Sequence, residues 1–464
     1  METVKQIPYG VADFESVIDR GLYYVDKTMY LAELENQPRT LIFIRPRRFG
    51  KSLFISMMRA YYDKSKAEHF EKLFGSLWIG SHPTPLRNHY QVLYLDFSRI
   101  LGNIDVLEEK FNSYCCDQLN DFIDTYRDDY PKERVEEFLR SDDHGQKLNL
   151  LLNMSRKYNQ QLYLIIDEYD NFTNIVLSEH GEAIYHNMTH ASGFYREVFK
   201  KFKGMFERIF LTGVSPVTLD DLTSGFNIGW NVSMTPELDK MLGFSTEDVR
   251  QMFTYYKEVG QLPADCDIEA MITEMKPWYD NYCFAKECLE NDVRVFNCDM
   301  VLYYLRNYVS YKRSPEVMLD PNTKTDYKKL NMLIQLDKLD GNRKGVMMEI
   351  IEKGEIAATL VPSFSANEMT DPETFPSLLF YYGMLTIKGT KGSRLILGIP
   401  NNNVRKQYYN YILNELSKHG TVNISKLRDY FDLMSFDGKW RDGFQYMADC
   451  YKQLSSVRDS IEGE

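Results

Sequence analysis

No stretch of the chain approaches the roughly 18 apolar residues of a membrane-spanning helix, and the opening METVKQIPYGVADF lacks the apolar core of a secretory signal. A membrane span or an exported protein is therefore not expected, and the cytoplasm is the expected location. Cysteine is scarce and unpatterned. There are seven, an odd number, with no CxxC pair, and Cys283, Cys288 and Cys298 are too irregularly spaced for a zinc site. Reduced thiols in a cytosol are the simplest reading. Histidine is equally sparse, at eight. His186 and His190 have helical i, i+4 spacing but no intervening Glu in the manner of zinc proteases. Ser215, in Thr212-Gly213-Val214-Ser215-Pro216, lacks the closing glycine of a hydrolase nucleophile elbow. A basic excess is missing too: 55 Lys and Arg stand against 67 Asp and Glu, a net charge of −12. That excludes a protein whose whole surface coats nucleic acid and leaves open a local basic patch. Internal repeats and low-complexity segments are absent as well.

What is present is globular. Hydrophobic residues make up 44% and charged residues 26% of 464 residues, enough for full cores and about three domains' worth of chain. The 33 Tyr and 27 Phe are read chiefly as core and sheet-packing residues. The stretch 27–35 reads as a short helix with Tyr30, Leu31 and Leu34 on one side. Four apolar runs read as strands: Thr40-Leu41-Ile42-Phe43-Ile44, Val92-Leu93-Tyr94-Leu95, Leu162-Tyr163-Leu164-Ile165-Ile166 and Ile209-Phe210-Leu211. A weaker fifth spans 231–234. Helical sequence follows Lys51 and fills 104–126 and 132–157. Continuously apolar strands alternating with helices predict an α/β fold whose parallel sheet is covered on both faces. The texture changes at Ser245, where a Ser cap with Asp248 three residues on starts a Tyr-rich helical region reaching about residue 360. Within it, 324–329 is charged and reads as a loop or solvated helix face. A hairpin is expected over 384–399, and the tail from Val404 is again helical.

The strongest chemical signal lies between the first strand and its helix, in Arg45-Pro46-Arg47-Arg48-Phe49-Gly50-Lys51-Ser52-Leu53. It fits the phosphate-binding pattern GxxxxGK[ST] except that Arg45 stands where the first glycine would be. A polyphosphate needs inward-pointing N–H groups and the positive end of a helix. Gly50 lets the backbone approach closely, Lys51 neutralises phosphate oxygens, and Ser52 offers a hydroxyl to Mg²⁺. Arg47 and Arg48 could face phosphate, a neighbouring subunit or an acidic patch. The second signal is the strand ending in Asp167-Glu168, matching a Walker-B strand: Asp167 would hold the Mg²⁺ shell and Glu168 would polarise the attacking water. Thr212, ending another strand, either senses the γ-phosphate or caps a turn. Asp96, ending a fourth, reads as structural.

These segments, taken with IPYGVADF, YYVDKT, FIRPRRFGKSLFISMMRAYY, VLYLDFS, LIIDEYDNF, RIFLTGVSPVTLDDLTSGFNI, MLGFSTEDV, WYDNYCF and LLFYYGMLTI with LGIPN, resemble in order, over about residues 5–405, the AAA-ATPase-like family of bacterial proteins. Its members are often fused to a C-terminal PD-(D/E)xK nuclease-like domain. The RRxGK[ST] wording is also similar to the archaeal-type ATPases of the wider STAND-like group. The resemblance implies a P-loop core over 1–244, a helical domain over 245–360, a winged-helix-like module over 361–410 and a helical tail over 411–464. It implies ATP and Mg²⁺ as cofactors, with 47–53 as the nucleotide-binding segment. Ser52 and Asp167 become metal positions, and Lys51, Glu168 and Thr212 catalytic or sensing ones. The tail leaves no room for nuclease residues, so nuclease activity is not expected of this chain. An Mg²⁺-dependent ATPase is the leading expectation. The alternative is a nucleotide-dependent switch, or a DNA-binding regulator of a nuclease-like partner, with little turnover. Lys388, Lys391, Arg394, Arg405 and Lys406 form the basic cluster through which nucleic acid would bind; self-association is a further expected partnership.

Overall fold

The computed structural model describes residues 4–100, 104–180, 182–189, 193–217, 229–291, 293–320, 342–365, 368, 371–418 and 422–454. The charged stretch 324–329 and His190 lie outside the described residues. The chain divides into two compact units, residues 1–402 and 403–464.

The first unit is built on five parallel strands: β1 Thr40–Ile44, β2 Gln91–Asp96, β3 Leu162–Asp167, β4 Arg208–Gly213 and β5 Trp230–Asn231, in the order β2-β3-β4-β1-β5. Every residue of β1 and β3 is buried, as uninterrupted apolar runs require when both sheet faces are covered. Helices Lys51–Tyr62, Leu107–Thr125, His144–Lys157 and Phe194–Phe202 turn their apolar sides inward. This is an α/β, P-loop-like arrangement, with the strands' carboxyl ends at one edge. The register sets Asp96 beside Asp167 and Phe43 beside Thr212.

Several element boundaries differ from the sequence reading. The stretch 132–157 forms two helices, Lys132–Leu139 and His144–Lys157, because Asp143 caps the second by accepting from Gln146 N at 2.7 Å. The short helix expected over 27–35 starts at Met29, after Asp26 fixes the backbone N–H and hydroxyl of Thr28. The fifth strand is only two residues long. The Asn231 side chain accepts from both the N–H and the hydroxyl of Ser233, which turns the chain away.

Beyond the sheet, helix Thr246–Glu258 begins with the expected capping box, Ser245 and Asp248 bonding each other's backbone N–H. Its apolar face packs with helices Ile268–Tyr279 and Cys298–Tyr311 around Val249, Met252, Phe253, Met275, Val301 and Tyr304. A three-stranded antiparallel sheet follows, ordered β6-β8-β7: β6 Glu355–Ala358, β7 Thr386–Lys391 and β8 Arg394–Gly398. β7 and β8 are the expected hairpin, turning at Gly392 with φ +63°. Lys388, Lys391 and Arg394 are exposed on it.

The described residues of the second unit are mainly helical. Asn402–Lys418 leads into it, and Ile424–Asp437 and Arg441–Leu454 pair through Tyr430 against Tyr446, ring centroids 5.4 Å apart. No helix among the described residues is long and apolar enough to cross a membrane.

Candidate functional site

The loop between β1 and helix Lys51–Tyr62 is held by backbone few residues tolerate. Gly50, the helix N-cap, has φ +91°, and Arg48 has φ +66°. For a residue other than glycine that conformation is strained and needs support. The support comes from the start of helix Cys298–Tyr311. Arg48 Nη1 donates to Asp299 Oδ2 at 2.7 Å, Asn297 Nδ2 to the Arg47 carbonyl at 3.5 Å, and Cys298 Sγ to the Phe49 carbonyl at 3.5 Å. Gly243 N also donates to Phe49 O, at 3.1 Å. The Phe49 ring packs edge-on against Tyr282 and Phe284. Gly383 lies so near Pro46 that a Cβ there would come within 2.9 Å of the proline ring.

Lys51 is buried. Its Nζ donates to the carbonyls of Arg45 and Pro46, 3.0 Å each. Burial pulls its pKa down, opposed by the charges of Glu168, Asp167 and Asp170. Ser52 Oγ donates to Asp167 Oδ2 at 2.8 Å, bridging loop and β3. Burial, with Glu168 next, pushes the Asp167 carboxyl up to about 7, while the Ser52 bond works the other way. Glu168 follows with φ +50°, its N–H on Asp167 Oδ1 at 2.9 Å. Two oxygen donors at hydrogen-bond distance, one a carboxylate, are a hard donor set suited to Mg²⁺.

Two cavities share this loop as a common wall. One, of about 320 Å³, is mostly apolar and is lined by Val11, Tyr24, Val25, Met241, Met252 and Leu302, with Arg47, Arg48, Phe49, Gly50, Lys51, Ser52, Leu53 and Glu168 along one side. The other, of about 800 Å³, is polar: Ser52, Asp167 and Glu168 meet Asp13, Arg59, Asp96 and Arg99 there. The structure thus brings the loop residues 47–53 together with Asp167 and Glu168. It does not bring Thr212 to either cavity. That hydroxyl donates to the Phe43 carbonyl at 2.6 Å, between β4 and β1. Asp96 serves locally, accepting from Ser98 N and pairing with Arg99 at 3.2 Å, while also lining the polar cleft.

Other site residues were given no role by the sequence reading. Lys27 lines the apolar cavity and pairs with Asp248 at 2.7 Å, tying the N-terminal segment to helix Thr246–Glu258. Asp170, buried, accepts from Ser215 N at 2.6 Å, Val214 N at 3.2 Å and Asn174 Nδ2 at 2.8 Å. It locks the turn after β3 to the turn after β4. Burial, then Glu168, pushes it up to about 6. The quoted Tyr-Tyr-Val-Asp-Lys-Thr, Met-Leu-Gly-Phe and Phe-Tyr-Tyr-Gly segments, which gave no chemistry of their own, supply residues packed on the loop or its cavities.

A family model described as "Predicted AAA-ATPase" matches residues 8–223. The chain is also similar to a protein of Azotobacter chroococcum mcd 1 described as "Uncharacterized protein in vnfD 5'region". The two are 24% identical over 293 residues, 62% of this chain. The match spans 50% of that protein's length.

Proposed function

We propose that the chain, whose residues 8–223 match the model of a predicted AAA-ATPase family, binds ATP with Mg²⁺ and hydrolyses it at the cleft between the 45–50 loop and the end of β3. One observation carries the reading: Ser52, Asp167 and Glu168 converge in a polar cleft directly behind a lysine-bearing loop whose other side opens on an apolar cavity. The base and sugar occupy the apolar cavity. The phosphates lie along the N–H groups that open helix Lys51–Tyr62, where the helix dipole favours negative charge. Lys51 exchanges the Arg45 and Pro46 carbonyls for phosphate oxygens. Ser52 and Asp167 hold the cation, which supplies charge neutralisation for the phosphates. Glu168 accepts a hydrogen bond from the attacking water and orients it. Thr212 reaches the phosphate only by releasing Phe43 O, so it ranks behind the others as a sensor.

Calorimetry with MgATP and a phosphate-release assay test the reading. Wild type should bind and turn over. Lys51→Ala should lose most of the binding. Glu168→Gln should keep binding while turnover drops at least about a hundredfold. A wild type that binds MgATP yet releases phosphate no faster than buffer removes the hydrolytic step.

A second reading, a nucleotide-dependent switch, is favoured by the grip of Asn297, Cys298 and Asp299 on the loop. Nucleotide that changes the limited-proteolysis pattern without turnover selects it. The three-stranded sheet with helix Phe375–Tyr381 reads as the winged-helix-like module. Its exposed Lys388, Lys391 and Arg394 are the proposed nucleic-acid contacts, and their binding should weaken steeply with salt.

A further inference from the structure

Arg45 stands where the phosphate-loop pattern has its first glycine, and its side chain, 1% exposed, is among the largest fully buried ones of the described residues. Nη1 donates to the carbonyls of Ile44 at 3.1 Å and Ser233 at 2.5 Å. The guanidinium carbon lies 4.3 Å from the centroid of the Phe43 ring and 4.1 Å from that of Phe284, so one aromatic from β1 and one from the segment between helices Ile268–Tyr279 and Cys298–Tyr311 flank it. The planar fork suits this stacked position, which an ammonium does not.

The fold leaves this cation under-compensated. Nε and Nη2 are buried without a hydrogen-bond partner among the described residues, and so is Oδ2 of the buried Asp239. Burial pulls the guanidinium down to about 10, with the Asp239 charge acting against it. A buried ion lacking a full set of partners is expensive, and an apolar side chain of similar volume is often as stable or more so. The stability of the fold therefore does not account for an arginine here. The backbone of the same residue points to the reason: the Arg45 carbonyl, with that of Pro46, is what Lys51 Nζ rests on.

We propose that Arg45 is a positioning residue for the nucleotide site. Its guanidinium, fixed between Ser233, Phe43 and Phe284, immobilises the root of the loop, so that the 45 and 46 carbonyls hold Lys51 where it can pass to a phosphate oxygen. The inference rests on the ATP reading above and adds to it the device that sets the loop's shape.

The test compares wild type, Arg45→Lys, Arg45→Met and Arg45→Met/Asp239→Asn. The double variant removes the carboxylate that would otherwise be stranded. MgATP affinity is read by calorimetry, KM and kcat by phosphate release, and folding by nucleotide-free melting. The Arg45→Met/Asp239→Asn protein should melt at or above the wild-type temperature. Its Kd and KM should rise about tenfold to a hundredfold, as for a misplaced loop, with kcat little changed. Arg45→Lys should recover part of the affinity, because charge is kept and the fork is lost. A merely structural arginine gives the reverse pattern: a lower melting temperature with KM unchanged in the molecules that remain folded. Should Arg45→Met unfold, the double variant decides; should that unfold too, Arg45→Lys decides, and a wild-type KM there overturns the proposal. A folded double variant that binds MgATP as tightly as wild type overturns it as well. Wild type that fails to bind MgATP instead overturns the ATP reading, and this inference with it.

Discussion

Asp167 is buried as a neutral acid would be and placed as a charged one is needed. Its carboxyl is raised from 3.8 to about 7, so the folded chain holds that proton more tightly than the unfolded chain. Stability of the nucleotide-free, metal-free protein should accordingly be greatest below pH 4 as far as this group is concerned, and decline as pH rises through 4 to 7. Thermal melts at pH 5 and 7.5 should show a smaller difference in Asp167→Asn than in wild type. Gly213 offers a steric test at the same scale. A Cβ there would come within 2.2 Å of Asp170 Oδ1 and 2.7 Å of the Tyr169 ring. Gly213→Ala should lose about 2–3 kcal/mol in urea denaturation, as overpacking of a closed site does. The residues that announced themselves, Gly50, Lys51, Ser52, Asp167 and Glu168, did so because each pair or triplet is contiguous and ends a strand or begins a helix. Arg48 with Asp299 and Lys27 with Asp248 were illegible for the opposite reason: 251 and 221 residues separate the partners, and no local pattern encodes such a meeting.

Elements were readable wherever one strong local rule governed them. The buried strands followed from continuous apolar runs, and the start of helix Thr246–Glu258 from its capping box. They were misread where a single side chain intervened, as Asp143 did within 132–157 and Asn231 did in the fifth strand. The capping box also serves the site, because Asp248 Oδ2 receives Lys27 as well as Ser245 N. Ser245→Ala should cost about 1 kcal/mol, the usual loss of a cap, and leave MgATP affinity nearly unchanged. Asp248→Ala should cost more and also weaken MgATP binding, since it releases the N-terminal wall of the apolar cavity. Chemical denaturation and calorimetry on the two variants separate these effects.

For the whole molecule, the sheet order β2-β3-β4-β1-β5 places β4 between the loop-bearing strand and the strand that ends in Asp167. On the proposed reading, a nucleotide therefore reaches across a strand end to touch both. Binding should slow hydrogen exchange in 8–27, 45–54, 167–175, 241–252 and 297–302, the segments around the two cavities, and leave 424–454 as before. Exchange mass spectrometry with and without MgATP checks this, and uniform protection along the chain would contradict a localised site. The net charge of −12 said nothing of this layout; it restricted partners, not architecture.

The grip of three successive residues on the loop gives helix Cys298–Tyr311 a mechanical property. Its 14 residues form a rod about 21 Å long, held at one end by the 45–50 loop and ending at Tyr311, which is 69% exposed. A tilt of about 5° at the held end would sweep the far end through about 2 Å. A reporter dye placed at the tip would thus feel events at the phosphates without touching them.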